Sequence, residues 1–335
     1  MAGQGVEAAL KLNEMYRYIA WRLALIVPTV LAASTVIFLV MRVLPGDITL
    51  VISGDVAVNP EVRETLREEL GLNDSLHIQY GRWLWSMVNG EFGGRSLESQ
   101  EAIGSMIGRQ LPVTLLLTGY TILLSIVVSV PLGLLAATWK DRWPDRLVRV
   151  ATLGGLALPH LWIALLVLLG LLLLFRWSPP IIYDAPWTDP WSHLQVMAWP
   201  TLILAWEYSS HLVRVTRSSA LESFNQAYVT TARSKGLPGY VVVLRHVLPN
   251  ALIPSVTMVG LQIGMLISGA LILETIFGLP GIGRGLVRAA ISRDYPVIQT
   301  LATLLVVLSL VVNLVVDMLY RVIDPRVSYS VDAGH

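Results

Sequence analysis

Cysteine is absent from all 335 positions, charged residues make up only 14%, and lysine occurs three times. Without cysteine there are no disulfides, no thiolate metal ligands and no thiol nucleophile. A soluble domain carries ~25% charged residues, so the shortfall excludes an ordinary water-soluble chain. Catalytic motifs are missing too. No G-x-x-x-x-G-K-[ST] phosphate loop, no H-E-x-x-H and no G-x-S-x-G occurs. Nucleotide hydrolysis, zinc peptidase and serine hydrolase chemistry thus lack their residues. The six histidines are scattered without metal-ligand spacing. The chain is therefore read as no enzyme, with no metal or cofactor of its own.

Apolar residues take the place of charge: they are 54% of the chain, with a mean hydropathy of +0.64. Six stretches reach or approach the ~20 apolar residues that cross a bilayer. They are Leu23–Met41, Val113–Thr138, Val150–Phe175, Ala198–Val213, Ala251–Leu273 and Val297–Tyr320. The fourth is the weakest, because Glu207 and His211 interrupt it. Pro131, Pro159 and Pro254 are expected to be tolerated, since neighbouring helices re-satisfy freed backbone groups. The first run is too long for a cleaved signal peptide and reads as a retained span. An all-α membrane protein with six transmembrane helices is expected.

Charge orients it. With the N-terminus inside, the inner segments 1–22, 139–149, 214–250 and 321–335 hold 14 of the 24 Lys and Arg, including every lysine. The short outer loop 176–197 holds one. Arg284, Arg288 and Arg293 in the last outer loop run against this trend, yet the short loops favour both termini inside.

The long outer segment, 45–110, predicts two helices. Asn59-Pro60 caps and opens the first, which ends at Gly71; Leu76 to Val88 forms the second and carries Tyr80, Trp83 and Met87. Two such helices bury little by themselves, so they are expected to lie on the membrane part. They serve either as a docking shelf for an external partner or as a lid on their own subunit. Gly278-Leu-Pro-Gly-Ile-Gly-Arg-Gly285 lacks the Lys-Ser/Thr of a nucleotide loop. It reads as a tight turn where helices cross closely. With Glu274 before it, the residues Glu274, Phe277, Pro280, Gly281 and Gly283 are candidates for an external gate.

Ionisable groups inside spans are candidates for function by default. Glu207, His211 and Arg214 share a helical face; they form either a helix-end ion pair or the lining of a polar path. Asp317 stands four residues before Arg321, the spacing of a helical pair, and Asn313 lies one turn deeper. No chain of buried carboxylates or pair of Gly-broken spans supports a proton-coupled carrier.

The segment between spans four and five, 214–250, is too patterned for a connector. It runs Tyr228-Val-Thr-Thr-Ala-Arg-Ser-Lys-Gly-Leu-Pro-Gly239, then Leu248-Pro249-Asn250. An amphipathic helix, a break at Gly236 and a return at Leu-Pro make a surface for another protein to hold. It resembles the coupling loop, or EAA motif, of permeases in ATP-binding-cassette (ABC) importers. Ala232, Gly236 and Leu248-Pro249 match that pattern, whereas Thr230, Thr231 and His246 depart from it. The likeness extends along the chain: Arg42-Val-Leu-Pro-Gly-Asp47, Leu70-Gly-Leu, Gln79-Tyr80, Gly90-Glu-Phe-Gly-Gly-Arg-Ser96, Arg109 to Leu115, Pro131 to Ala137, Glu274 to Arg284, Arg293-Asp-Tyr-Pro296, Asn313 to Asp317 and Asp324-Pro-Arg-Val327. These resemble B-type permeases of dipeptide and oligopeptide ABC importers.

The resemblance implies the type I importer fold: a tail and first helix over 1–44, an external helical segment over 45–110, and a five-helix core over 111–326 containing the coupling loop. It implies a multi-pass subunit of a prokaryotic cytoplasmic (inner) membrane. Its partners would be a similar C-type permease, two ABC ATPases that bind ATP and magnesium, an external substrate-binding protein and the lipid bilayer, with no nucleic acid. Coupling would fall to Tyr228, Ala232, Arg233, Lys235, Gly236 and Leu237, with the small Ala232 and Gly236 allowing close approach. Glu207, Asn313 and Asp317 would line half a path for peptides. The same machinery carrying oligosaccharides, glutathione or nickel chelates is the alternative, and a stand-alone secondary carrier the remote one.

Overall fold

A computed structural model describes residues 2–43, 73–180 and 182–323. The expected helix from Pro60 to Gly71 and the motifs in 44–47, 70–72 and 324–327 lie outside the described residues, as does the side chain of Asp317. Eleven α-helices follow in order among the described residues. They are α1 Ala2–Val43, α2 Leu76–Val88, α3 Ile103–Thr138, α4 Trp143–Ala157, α5 His160–Phe175, α6 Pro190–Phe224, α7 Ala227–Ser234, α8 Gly239–Val242, α9 Leu248–Phe277, α10 Ile282–Ser292 and α11 Tyr295–Ile323. A π-helical turn, Val243–Val247, joins α8 to α9. Apart from an isolated bridge between Arg95 and Ala102, no strand pairing occurs among the described residues.

The chain divides into two compact units, one of residues 1–108 and 285–314, the other of residues 109–284 and 315–335. In the first, α2 is held on α1. Tyr80 shares a 2.8 Å hydrogen bond with Ser34 and accepts one of 3.0 Å from Thr35, while its ring lies 5.3 Å from Phe38. Trp85 and Val88 on the other side of α2 are exposed. α2 thus lies on an apolar helix of its own chain, as expected, with its other face exposed. Asp294 fastens the following turn: Ser96 Oγ donates to its Oδ2 at 2.5 Å and Glu98 N–H at 3.3 Å. Thr300 Oγ1 donates to Phe92 O at 3.0 Å. Motifs nearly two hundred residues apart, at 90–96 and 293–296, are thereby joined.

In the second unit α6 is central. Asp189 caps it, accepting from Trp191 and Ser192 N–H at 3.0 and 3.1 Å, and Pro190 opens its first turn; such a cap contributes ~1 kcal/mol. Around α6 lie α3, α5 and α9, with Leu117, Ala164, Leu204, Leu266, Ala270, Leu273 and Phe277 buried between them. Lipid is as apolar as leucine, so close packing of small residues such as Ala164 and Ala270 holds these helices rather than exclusion from water. The long side chains of α5, Leu172 to Phe175, point outward, where hydrocarbon would cover them.

Among the described residues, four helical stretches are long and apolar enough to cross a membrane: Ala20–Val43, Ile103–Thr138, Gly239–Phe277 and Tyr295–Val316. Two expectations change. The stretch Val150–Phe175 is not one straight span: α4 and α5 meet at a bend of 102°. Pro159 bars α-helical geometry at Leu158, whose φ and ψ are −99° and 122°. The proline is thus a break, whereas Pro131 and Pro254 stay within continuous helices. The predicted span Ala198–Val213 sits inside α6, which is not among the four apolar stretches. Its Ser209, Ser210 and Thr216 are buried toward the other helices.

Candidate functional site

The coupling segment is a short helix with two different faces. Val229 and Ala232 of α7 turn inward onto Ala137, Ala220, Val242, Val247 and Ala251. Tyr228, Thr230, Thr231, Arg233, Lys235 and Leu237 are exposed. Gly236 ends the helix at φ +77°, a left-handed conformation that other residues adopt only at a cost. Nothing lies within 4 Å of where its Cβ would be. Ala232 packs against its own chain, and Gly236 relieves the helix end, as expected of a glycine at this turn. Arg233 stacks on the Phe224 ring at 5.7 Å. Beside α7 opens a groove of about 550 Å³ whose lining includes Lys140 and Arg233.

A clamp behind this segment escaped the sequence reading. Asp145 of α4 is fully buried and takes both arms of Arg217: Nε donates to Oδ1 at 2.7 Å and Nη2 to Oδ2 at 2.9 Å. Asp141 N–H donates to the same carboxylate at 2.9 Å, and Arg149 stands 3.5 Å away. This fork fixes the segment between α3 and α4 to the end of α6 that leads into α7. The one available signal was two aspartates inside an otherwise basic run, 139–149.

At the far end of α9 the residues Glu274, Gly281 and Gly283 come together. Glu274 is fully buried. It accepts from Thr114 Oγ1 at 2.6 Å and from the N–H groups of Gly283 and Arg284 at 2.7 and 3.3 Å. A carboxylate here faces the first N–H groups of α10, which have no partner within the helix. Gly281 has to be glycine, because a Cβ would meet the Glu274 carboxyl at 2.2 Å. Gly283 would strike Leu271 Cα at 2.4 Å. Phe277 is buried in the central cluster with Leu279, and Pro280 is exposed.

Glu207 occupies a different setting. Its Oε2 lies 2.9 Å from Nδ1 of His160, the first residue of α5. A carboxylate only accepts, so Nδ1–H is the donor. Both side chains are part-exposed, and with His211 and Gln262 they line an open cavity of about 310 Å³. The partner of Glu207 is therefore not Arg214, one of the residues on its own helical face, and Arg214 is exposed. Asn313 is exposed on α11. Among the described residues, no cluster of three or more His, Asp or Glu offers a metal site.

Comparison with known proteins agrees with the fold. Residues 129–329 match the family described as binding-protein-dependent transport system inner membrane component, and residues 15–118 match its N-terminal companion. A protein of Brucella abortus (strain 2308), named for a peptide transport system permease, is 38% identical over 92% of this chain and 98% of its own length. Glutathione transport system permease protein GsiC of Salmonella paratyphi A is 36% identical over 94% of this chain and all of its own. Among solved structures, the inward-facing MetNI methionine ABC transporter superposes with a TM-score of 0.51 at 16% identity, covering 65% of this chain and 96% of the other. That likeness speaks for the fold alone. The chain belongs to the binding-protein-dependent transport system inner membrane component family: it is a permease subunit of an ABC importer.

Proposed function

We propose that this permease forms half of a translocation path for peptides handed over by an external binding protein. A similar second permease supplies the other half, and two cytoplasmic ATPases, holding ATP and magnesium, seat the α7 segment. The chain crosses the inner membrane six times with both termini inside; α6 and the bent pair α4–α5 complete the count beyond the four apolar helices. The carrying observation is the two-faced α7: its apolar side is consumed by its own chain, while Tyr228, Lys235 and Leu237 stand exposed beside a groove. A peptide cargo is supported by a relative of near-full length named for peptide transport.

ATP closes the ATPase dimer, and α7 moves with its seat. The Asp145–Arg217 fork carries that motion into α4 and α6. ATP has to bind the two states with different affinity, otherwise it shifts nothing. The test is purification of the assembled importer with Gly236→Leu, beside wild type. A side chain held left-handed costs about 1–2 kcal/mol, enough to reshape the end of α7. ATPase subunits are expected to be lost from the variant while the permease pair still inserts. Full retention, with full binding-protein-stimulated hydrolysis, removes the segment from the coupling mechanism.

A further inference from the structure

The Glu207 cavity carries a second function. We propose that it is a recognition point for a primary ammonium, such as the amino terminus of a peptide, on the wall of the path; this rests on the reading that the chain lines a solute path. Four observations lead there. Glu207 lies in the middle of α6, and its carboxylate is only half satisfied: Oε2 meets His160, and among the described residues nothing donates to Oε1. The cavity is open, and no Lys or Arg is among the described residues that line it. Gln262, Ser268 and His211 add polar atoms around it, and Met265 at its mouth is 70% exposed. A carboxylate and two imidazoles facing lipid are costly, so this face belongs to water or to a solute.

An ammonium suits the site for chemical reasons. It is a compact donor of three hydrogens, and the free Oε1 is an acceptor only. The His160 hydrogen bond engages Oε2, and Oε1 stays without a donor among the described residues. A neutral amide or hydroxyl would gain less from a negative charge than a cation does, and an anion would be repelled.

The absence of cysteine makes a direct test available. In the assembled importer in proteoliposomes, Met265→Cys is modified with a trimethylammonium methanethiosulfonate and, separately, with a sulfonate one. A negative cleft concentrates counter-ions by about tenfold or more, so the cationic reagent is expected to react faster. Glu207→Gln is expected to reduce the cation-to-anion rate ratio by about tenfold. Triglycine is expected to slow the cationic reagent, and N-acetyl-triglycine is not; this second reading needs no change at Glu207. A ratio indifferent to Glu207→Gln, no reaction with either reagent, or equal protection by both peptides overturns the proposal. ATP-driven uptake of triglycine is measured in parallel. Charge-dependent labelling without uptake overturns the peptide reading and leaves the cation site standing.

Discussion

Glu274 and Glu207 are two glutamates in helices of the same unit, and they are treated in opposite ways. Glu274 is fully buried, and its oxygens accept from a hydroxyl and two backbone N–H groups. Glu207 is part-exposed and shares one hydrogen bond with His160, beside open space. A carboxylate buried without donors is heavily penalised. Glu274 therefore reads as architecture: it ties the end of α9 to α3 and to the start of α10. Glu207 keeps capacity in reserve, which architecture alone does not require. The difference is one of satisfaction, not of residue type or of hydrophobic surroundings.

The comparison breaks first at Glu274. Glu274→Ala leaves two backbone donors and Thr114 without their acceptor, at about 1–3 kcal/mol for each unsatisfied group. A large fall in the thermal unfolding midpoint of the purified permease is expected, or failure to accumulate. A variant as stable as wild type would make Glu274 a spare group like Glu207.

Asp145 is next. Asp145→Ala strands Arg217, and breaking such a buried pair costs about 3–5 kcal/mol; the partial exposure of Arg217 places this at the lower end. The same unfolding measurement should give a smaller shift than Glu274→Ala, accompanied by weakened stimulation of ATP hydrolysis. Unimpaired stimulation would detach the fork from coupling.

Glu207→Gln is expected to change stability by less than ~0.5 kcal/mol, the range of substitutions away from satisfied networks. Its unfolding midpoint should match wild type while peptide uptake falls. A midpoint drop approaching that of Glu274→Ala would erase the distinction between the two glutamates.

The smallest effect belongs to the surface pair in the other unit. Arg288, 3.0 Å from Glu98, holds that carboxyl below its usual range, with Ser292 adding to the effect. A carboxyl depressed by folding stabilises above its unfolded value, and the contribution is lost as pH falls through the folded one. Both side chains are well exposed, so solvent keeps the effect under ~1 kcal/mol. Stability of Glu98→Gln should equal wild type at low pH and lie slightly below it near neutrality.

Much of this was legible in the sequence, and the rest failed for local reasons. Apolar runs located α1, α3, α9 and α11, because a span announces itself by composition. The segment at α7 was visible through Ala232, Gly236 and Leu248-Pro249, but which side faces inward depends on residues such as Ala137 and Ala251, far away in the chain. Pro159 was seen, yet proline only restricts its predecessor. Whether a helix kinks or turns by 102° is decided by what packs around it. Asp145 and Arg217 stand 72 positions apart, and no periodicity links them. The tight glycine turn was read correctly as a close crossing, whereas the capping role of Glu274 required coordinates.

The central claim is that this permease moves peptide only when α7 is seated on an ATPase. It is tested by ATP-dependent accumulation of radiolabelled tripeptide in proteoliposomes holding the two permeases, the ATPases and the binding protein. Wild type is compared with Tyr228→Asp/Leu237→Asp, which alters only residues 40% and 37% exposed on the outward side of the segment. The account predicts accumulation by wild type and none by the variant, with the unfolding midpoint unchanged. Accumulation by the variant at the wild-type rate, or by the permeases without ATPases, would contradict it.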